Sequence, residues 1–191
     1  MFKSLSLALA VAATPVSALA GVVVDVEEVD GNVVMSASGT LDLSAWSFAY
    51  PGLTSANVSR HLFVVGPADT IHDVYENPAG YAAPDNLQPN FLFHLADFGS
   101  GDLFGLAGIA DEALLEVPSN YSSGSPLQGS ATYLDTTVAG LDLLPGEFTW
   151  TWASPTTGGS DFFTVRITAV PEPTSVGLLA AGSILALTRR R

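Results

Sequence analysis

In the stretch Glu147-Phe148-Thr149-Trp150-Thr151-Trp152-Ala153, residues 148–152 alternate large aromatic and hydroxyl side chains without a break. Successive side chains of a strand point to opposite faces, so Phe148, Trp150 and Trp152 share one face and Thr149 and Thr151 the other. Asp161 to Ala169 repeats the pattern, with Phe163, Val165, Ile167 and Ala169 opposite Phe162, Thr164, Arg166 and Thr168. The seven residues 154–160, rich in Pro, Gly, Ser and Thr, join the two runs. The pair reads as an antiparallel hairpin with a long loop, an aromatic face for a core and a threonine face for water.

Working outward, the rest of the middle of the chain reads the same way. Val22 to Glu28 is a β-branched run, Asp30-Gly31-Asn32 is a turn signal, and Asn32 to Ser38 resumes with Val33, Val34 and Met35, which predicts a second hairpin. Leu62 to Val65, Phe91 to Leu95 and Leu103 to Ile109 are further strand candidates bounded by Gly, Pro, Asn or Asp. Gly66 to Asn90 carries Pro67, Pro78, Pro84 and Pro89, which predicts an irregular loop with a strand fragment around Ile71 to Tyr75. Ala110 to Glu116 is the best helix signal, worth one or two turns before Pro118. With 12 prolines and 18 glycines, the expectation is a single all-β domain over residues 21–170, an antiparallel β-sandwich or jelly roll.

Composition narrows the function classes. A domain of roughly 150 residues can bury about 70% of its unfolded surface and needs no staples. The chain has no cysteine, which rules out disulfides and thiolate metal sites. Between residues 21 and 170 there are 18 acidic residues against Arg60 and Arg166, a net charge of −16. Such a surface repels nucleic acid, anionic lipid and acidic polysaccharide that no divalent cation bridges. Solubility outside the cell accounts for it most simply.

Both termini read as addresses. Residues 1–20 have the form of a secretory signal peptide: Lys3 supplies the positive start, Leu5 to Ala13 the apolar run, and Pro15 a break. Ala18 and Ala20 are the small residues before a cleavage that leaves Gly21 first. Signal peptidase is the implied partner. Residues 171–191 begin with Pro171-Glu172-Pro173, an extended knuckle that suits a protease cleft. The uncharged run Thr174 to Thr188 follows, and then Arg189, Arg190 and Arg191. Fifteen uncharged residues fall short of the ~20 of a comfortable span, a deficit that bilayer thinning and arginine snorkelling could cover.

Val170 to Pro173, the apolar run and the arginine cluster closely resemble the PEP-CTERM sorting signal of exosortase substrates in Gram-negative bacteria that make exopolysaccharide. The resemblance implies an exported protein held in the inner membrane through its C-terminal segment until an exosortase-type enzyme cuts near Pro-Glu-Pro. Pro171, Glu172, Pro173, Arg189, Arg190 and Arg191 would then be recognised rather than catalytic. Ser38 to Leu43, Tyr121 to Pro126, Gly129 to Tyr133, Leu144-Pro145-Gly146 and Phe148 to Trp152 are similar to a recurrent class of small PEP-CTERM proteins with no assigned activity. That class implies an extracellular destination and supplies no substrate, cofactor or catalytic residue.

Candidate chemistry in the domain is sparse. His72-Asp73 with Asp69 and Glu76 is the one local grouping like a metal site, yet it lacks a calcium-loop pattern and fits a solvated acidic loop better. His61 and His94 sit beside apolar strand residues and read as strand-end histidines. Asp25, Glu27, Glu28 and Asp30 read as an exposed N-terminal strand; at most they would hold a divalent cation weakly. A glycosidase carboxylate pair needs a cleft and split pKa values, of which the sequence gives no sign. There is no Gly-x-Ser-x-Gly elbow and no phosphate loop. Trp150 and Trp152 read as core, while Tyr81 and Tyr121 lie in loop-like sequence and are the exposed aromatics suited to stacking on a sugar. The expectation is an extracellular matrix or biofilm protein with a structural or interaction role and no cofactor. A carbohydrate-binding module associated with exopolysaccharide comes second, and a glycan-acting enzyme third.

Overall fold

The computed structural model describes residues 21–76, 78–84, 92–109 and 112–168. Among these the fold is all-β. The strands are β1 Gly21–Val29, β2 Asn32–Thr40, β3 Ser47–Thr54, β4 Asn57–Ser59, β5 Leu62–Val65, β6 Thr70–Glu76, β7 His94–Leu95, β8 Phe98–Gly101, β9 Phe104–Ile109, β10 Glu112–Pro118, β11 Leu127–Tyr133, β12 Gly146–Ser154 and β13 Gly159–Thr168. A single 3-10 turn, Leu43–Ala45, is the only helical piece among the described residues. The strands form a first sheet ordered β12-β13-β1-β2-β11-β8 and a second ordered β3-β6-β10-β9-β5-β4-β7. Every pairing is antiparallel except β1 with β13, which is parallel.

Local chemistry explains the two hairpins. At the β1–β2 turn Asp30 and Gly31 take φ values of 52° and 80°, and Val29 pairs with Asn32. Both central residues need positive φ in such a two-residue turn, which Asp-Gly supplies. In β12, Phe148, Trp150 and Trp152 are buried as their alternation predicts, and β13 buries Phe163, Val165 and Ile167. The two sheets share one apolar core to which β1, β2, β5, β9, β10, β11, β12 and β13 all contribute. Trp150 stands at its centre, with ring centroids 6.0 Å from Phe63 of the second sheet and 6.2 Å from Phe163 of the first. Its indole N–H donates to the Gly108 carbonyl at 3.1 Å, a second tie between the sheets. Gly108 has to be glycine for space: a Cβ there would lie 2.1 Å from the Tyr81 hydroxyl.

The β12 edge is covered by residues 78–84, a stretch that lies between β6 and β7 in sequence. Ala82 and Thr151 exchange backbone hydrogen bonds of 2.8 and 3.0 Å, and Ala153 donates to Ala79 at 2.8 Å. That cover removes one free edge onto which other strands could add.

Several expectations need correction. The helix predicted over residues 110–116 is absent where it is described: Glu112 onward belongs to β10, and Ala113, Leu115 and Val117 alternate into the core. Period-2 burial overrode the helix-forming composition of Ala-Leu-Leu-Glu. Of the strand expected over residues 91–95, the described residues 92–95 hold only His94–Leu95, and residue 91 lies outside the described residues. The strand fragment in the proline-rich stretch is the seven-residue β6. The N-terminal strand is no exposed edge, since β1 lies inside its sheet between β13 and β2 with Val22, Val24 and Val26 fully buried. The sorting-signal residues 171–191, the signal peptide with Ala18 and Ala20, and Ala169 lie outside the described residues. No helix among the described residues is long and apolar enough to cross a membrane.

Candidate functional site

The outward face of the first sheet is hydroxyl-rich and its polar residues fall in register. Glu147 pairs with Arg166, Arg166 with Asp25, Asp25 with Ser36, Ser36 with Ser130, and Ser130 with Ser100. One polar rung therefore crosses all six strands. A second rung runs Thr149, Thr164, Val23, Ser38 and Gln128. Paired residues of neighbouring strands lie about 5 Å apart, close enough to bond directly. Thr149 and Thr164 share a hydroxyl hydrogen bond of 2.9 Å, as do Ser100 and Ser130. Arg166 closes one end of the first rung, its Nε 3.1 Å from Glu147 and its Nη1 3.9 Å from Asp25.

Over four of these strands the face dips into a trough of about 310 Å³. Asp25, Ser36, Ser38, Ser100, Gln128 and Ser130 line it together with the small residues Ala37, Gly101 and Gly129. The trough exists because Ser36, Ser38, Ser100 and Ser130 stand where bulkier strand formers would fill the outward surface. No lining residue is aromatic.

A second polar assembly is buried at one end of the domain. Asp161 is fully buried and accepts the Asp42 N–H at 2.7 Å and the Phe162 N–H at 2.8 Å. The Asp42 carboxylate in turn accepts from the Ser44 N–H at 2.9 Å and the Ser154 hydroxyl at 2.5 Å, with Ser123 and Thr156 at 3.5 and 3.4 Å. Burial, two backbone donors notwithstanding, pushes the Asp161 carboxyl up, and the nearby Asp42 charge adds to that. Burial also acts upward on Asp42, but its bonds to Ser154, Ser44 and Thr156 outweigh it and hold the group below the ordinary range. The two carboxylates are thus split, as an acid–base pair would be. Their oxygens, however, are spent on protein donors, which makes the node a clamp on the segments around Asp42, Ser123 and Ser154.

On the second sheet, His72 is almost wholly buried, with its Nε2 3.6 Å from Glu116 Oε2. That oxygen is buried and makes no hydrogen bond. Burial raises the Glu116 carboxyl and the charge of His72 opposes the rise. A raised folded-state pKa favours the fold below the unfolded value and loses that advantage as pH climbs through the folded one. Glu116→Gln should therefore gain melting temperature relative to the parent between about pH 4 and about pH 8. Thermal melts across that range check it, and parallel curves for the two proteins would refute it.

The residues singled out from sequence are dispersed. His72 lies in β6 away from solvent, while Asp73 accepts from the Asn120 N–H at 2.9 Å, and the grouping with Asp69 and Glu76 does not converge. Among the described residues no three His, Asp or Glu side chains gather as a metal site would require. Asp25 and Glu27 face outward on β1, whereas Glu28 accepts from the Val138 N–H at 2.7 Å. His61 is buried at the β4–β5 turn, and the His94 Nε2 is buried without a hydrogen bond.

Tyr81 and Tyr121 are half-buried and pack on the core, where exposed rings were expected. The Tyr121 hydroxyl donates to Ser125 O at 2.7 Å and accepts from the Leu41 N–H at 3.0 Å. Burial lifts the Tyr81 hydroxyl far above the ordinary tyrosine range, and the group finds no partner. Sequence reasoning missed the two rungs, the Asp42–Asp161 node and the His72–Glu116 pair. No family model, curated protein or solved structure matches this chain.

Proposed function

We propose that this chain is an exported, non-catalytic β-sandwich of the cell surface or extracellular matrix. Its N-terminal signal helix is removed after Ala20, and its C-terminal hydrophobic helix holds it in the inner membrane until an exosortase-type enzyme cuts near Pro171-Glu172-Pro173. The released domain then makes contacts in the matrix through the outward face of its first sheet. The observation that carries the contact role is the six-strand polar rung from Glu147 to Ser100, a broad in-register face with a trough in it. The carboxylate pair Asp42 and Asp161 is engaged by protein donors, which favours binding over bond-breaking chemistry. The acidic, lysine-free domain suits an environment where aggregation is the hazard.

Processing offers the direct test. With Pro171→Ala and Pro173→Ala together, uncleaved protein should accumulate in the membrane fraction, while the parent appears trimmed in the medium. Mass spectrometry of both fractions locates the termini. Equal trimming of parent and double variant would remove the sorting-signal assignment.

A further inference from the structure

We propose that the trough on the first sheet binds a neutral polysaccharide through hydroxyl and amide hydrogen bonds. The proposal deepens the matrix-contact reading and rests on it. The trough spans β1, β2, β11 and β8, about 14 Å across three strand spacings, which is room for a short stretch of sugar rings. Ser36, Ser38 and Gln128 are exposed, and their side chains make no hydrogen bond among the described residues. Each serine offers one donor and two lone pairs, Gln128 offers both kinds, and Asp25 accepts only. Ser100 and Ser130 satisfy each other once and keep further acceptor capacity toward the trough. A surface whose serines and glutamine each offer donors and acceptors matches a polyol, whose hydroxyls do the same.

Other ligand classes fit less well. A divalent cation would find one carboxylate, Asp25, already facing Arg166. A nucleic acid or a uronate polymer would meet Asp25, Glu27 and Glu147 on the same face, with Arg166 the one basic residue there. A peptide adds to a sheet edge or seeks an apolar pocket, but the trough floor is strand backbone already paired in the ladder. No aromatic ring lines the trough, so each binding event is weak. Affinity then comes from many domains meeting one polymer.

Affinity electrophoresis tests the proposal with the full chain in a zwitterionic detergent and EDTA. The gels would contain dextran, mannan or hydroxyethylcellulose as neutral polymers and alginate as the uronate polymer. At least one neutral gel should retard the protein and alginate should not. Ser36→Val with Ser130→Val fills the trough with residues that favour strands. It should weaken retardation at least tenfold at an unchanged melting temperature, while Tyr121→Phe binds as the parent does. If the double variant misfolds, Gln128→Ala at the exposed rim should still weaken binding severalfold. Indifference of all neutral gels, equal retardation by alginate, or parent-like binding by the trough variants would each overturn the proposal. Fractionation keeps the two readings apart: trimmed protein in the medium with no retardation sinks the trough alone, whereas intact chain in the cytosol sinks the extracellular reading alone.

Discussion

Trp150→Ala should cost about 3–5 kcal/mol of folding stability, the range for removing a large aromatic from a packed core. The indole is fully buried and touches both sheets, through Phe63 on one side and Phe163 on the other. Its loss also leaves the Gly108 carbonyl without its donor, a penalty of about 1–3 kcal/mol for a buried polar group left unpaired. Domains of this size are stable by about 5–15 kcal/mol in total, so this one substitution removes a large part of the margin. Trp150→Phe keeps much of the volume and loses only the hydrogen bond, so it should cost clearly less. Urea titrations of the two variants check the order. A Trp150→Ala cost below about 1 kcal/mol would mean that the sheets are not tied together at this residue.

Asp161→Ala should be nearly as damaging for a different reason. The apolar side chain strands the Asp42 and Phe162 N–H groups, which now donate at 2.7 and 2.8 Å in a fully buried site. Two orphaned donors cost about 1–3 kcal/mol each, so the sum is about 2–6 kcal/mol. The loss should shrink as pH rises. Burial lifts the Asp161 carboxyl, so its stabilising contribution is full below the ordinary aspartate pKa and declines as pH climbs through the raised value. Denaturant melts at about pH 4 and about pH 7 should therefore show the larger deficit at the acid end. Asp161→Asn retains one acceptor oxygen and should fall between parent and alanine. A deficit that grows with pH would contradict the direction assigned to this carboxyl.

What the sequence disclosed was local. Strict alternation marked β12 and the core half of β13, and the Asp30-Gly31 turn marked β1 and β2, because those signals are carried by neighbours a few positions apart. Strands β3, β8 and β11 escaped as strands because their residues are small, polar or proline-containing, and only pairing gives them shape. Residues 112–118 misled because Ala, Leu and Glu suit helices, while the periodicity of Ala113, Leu115 and Val117 was too short to win on pattern alone. The polar rung was out of reach for a deeper reason. Its six members come from six strands, and cross-strand register is a property of the assembled sheet. The Asp42–Asp161 node joins distant segments in the same way. Two of them, Ser38 to Leu43 and Tyr121 to Pro126, had drawn notice by resemblance alone.

The side-by-side arrangement of β1 and β13 has a kinetic consequence. Residue 22 finds its parallel neighbour at residue 163, so one side of β1 stays unpaired until nearly the whole domain has been delivered. Loop closure on that scale is paid before any contact rewards it, and such topologies complete in milliseconds to seconds. A nascent chain threading through a translocation channel would reach the far side before it could lock. If the chain is exported as we propose, the wiring would act as a timer, leaving the polypeptide pliable during transit and setting it afterwards.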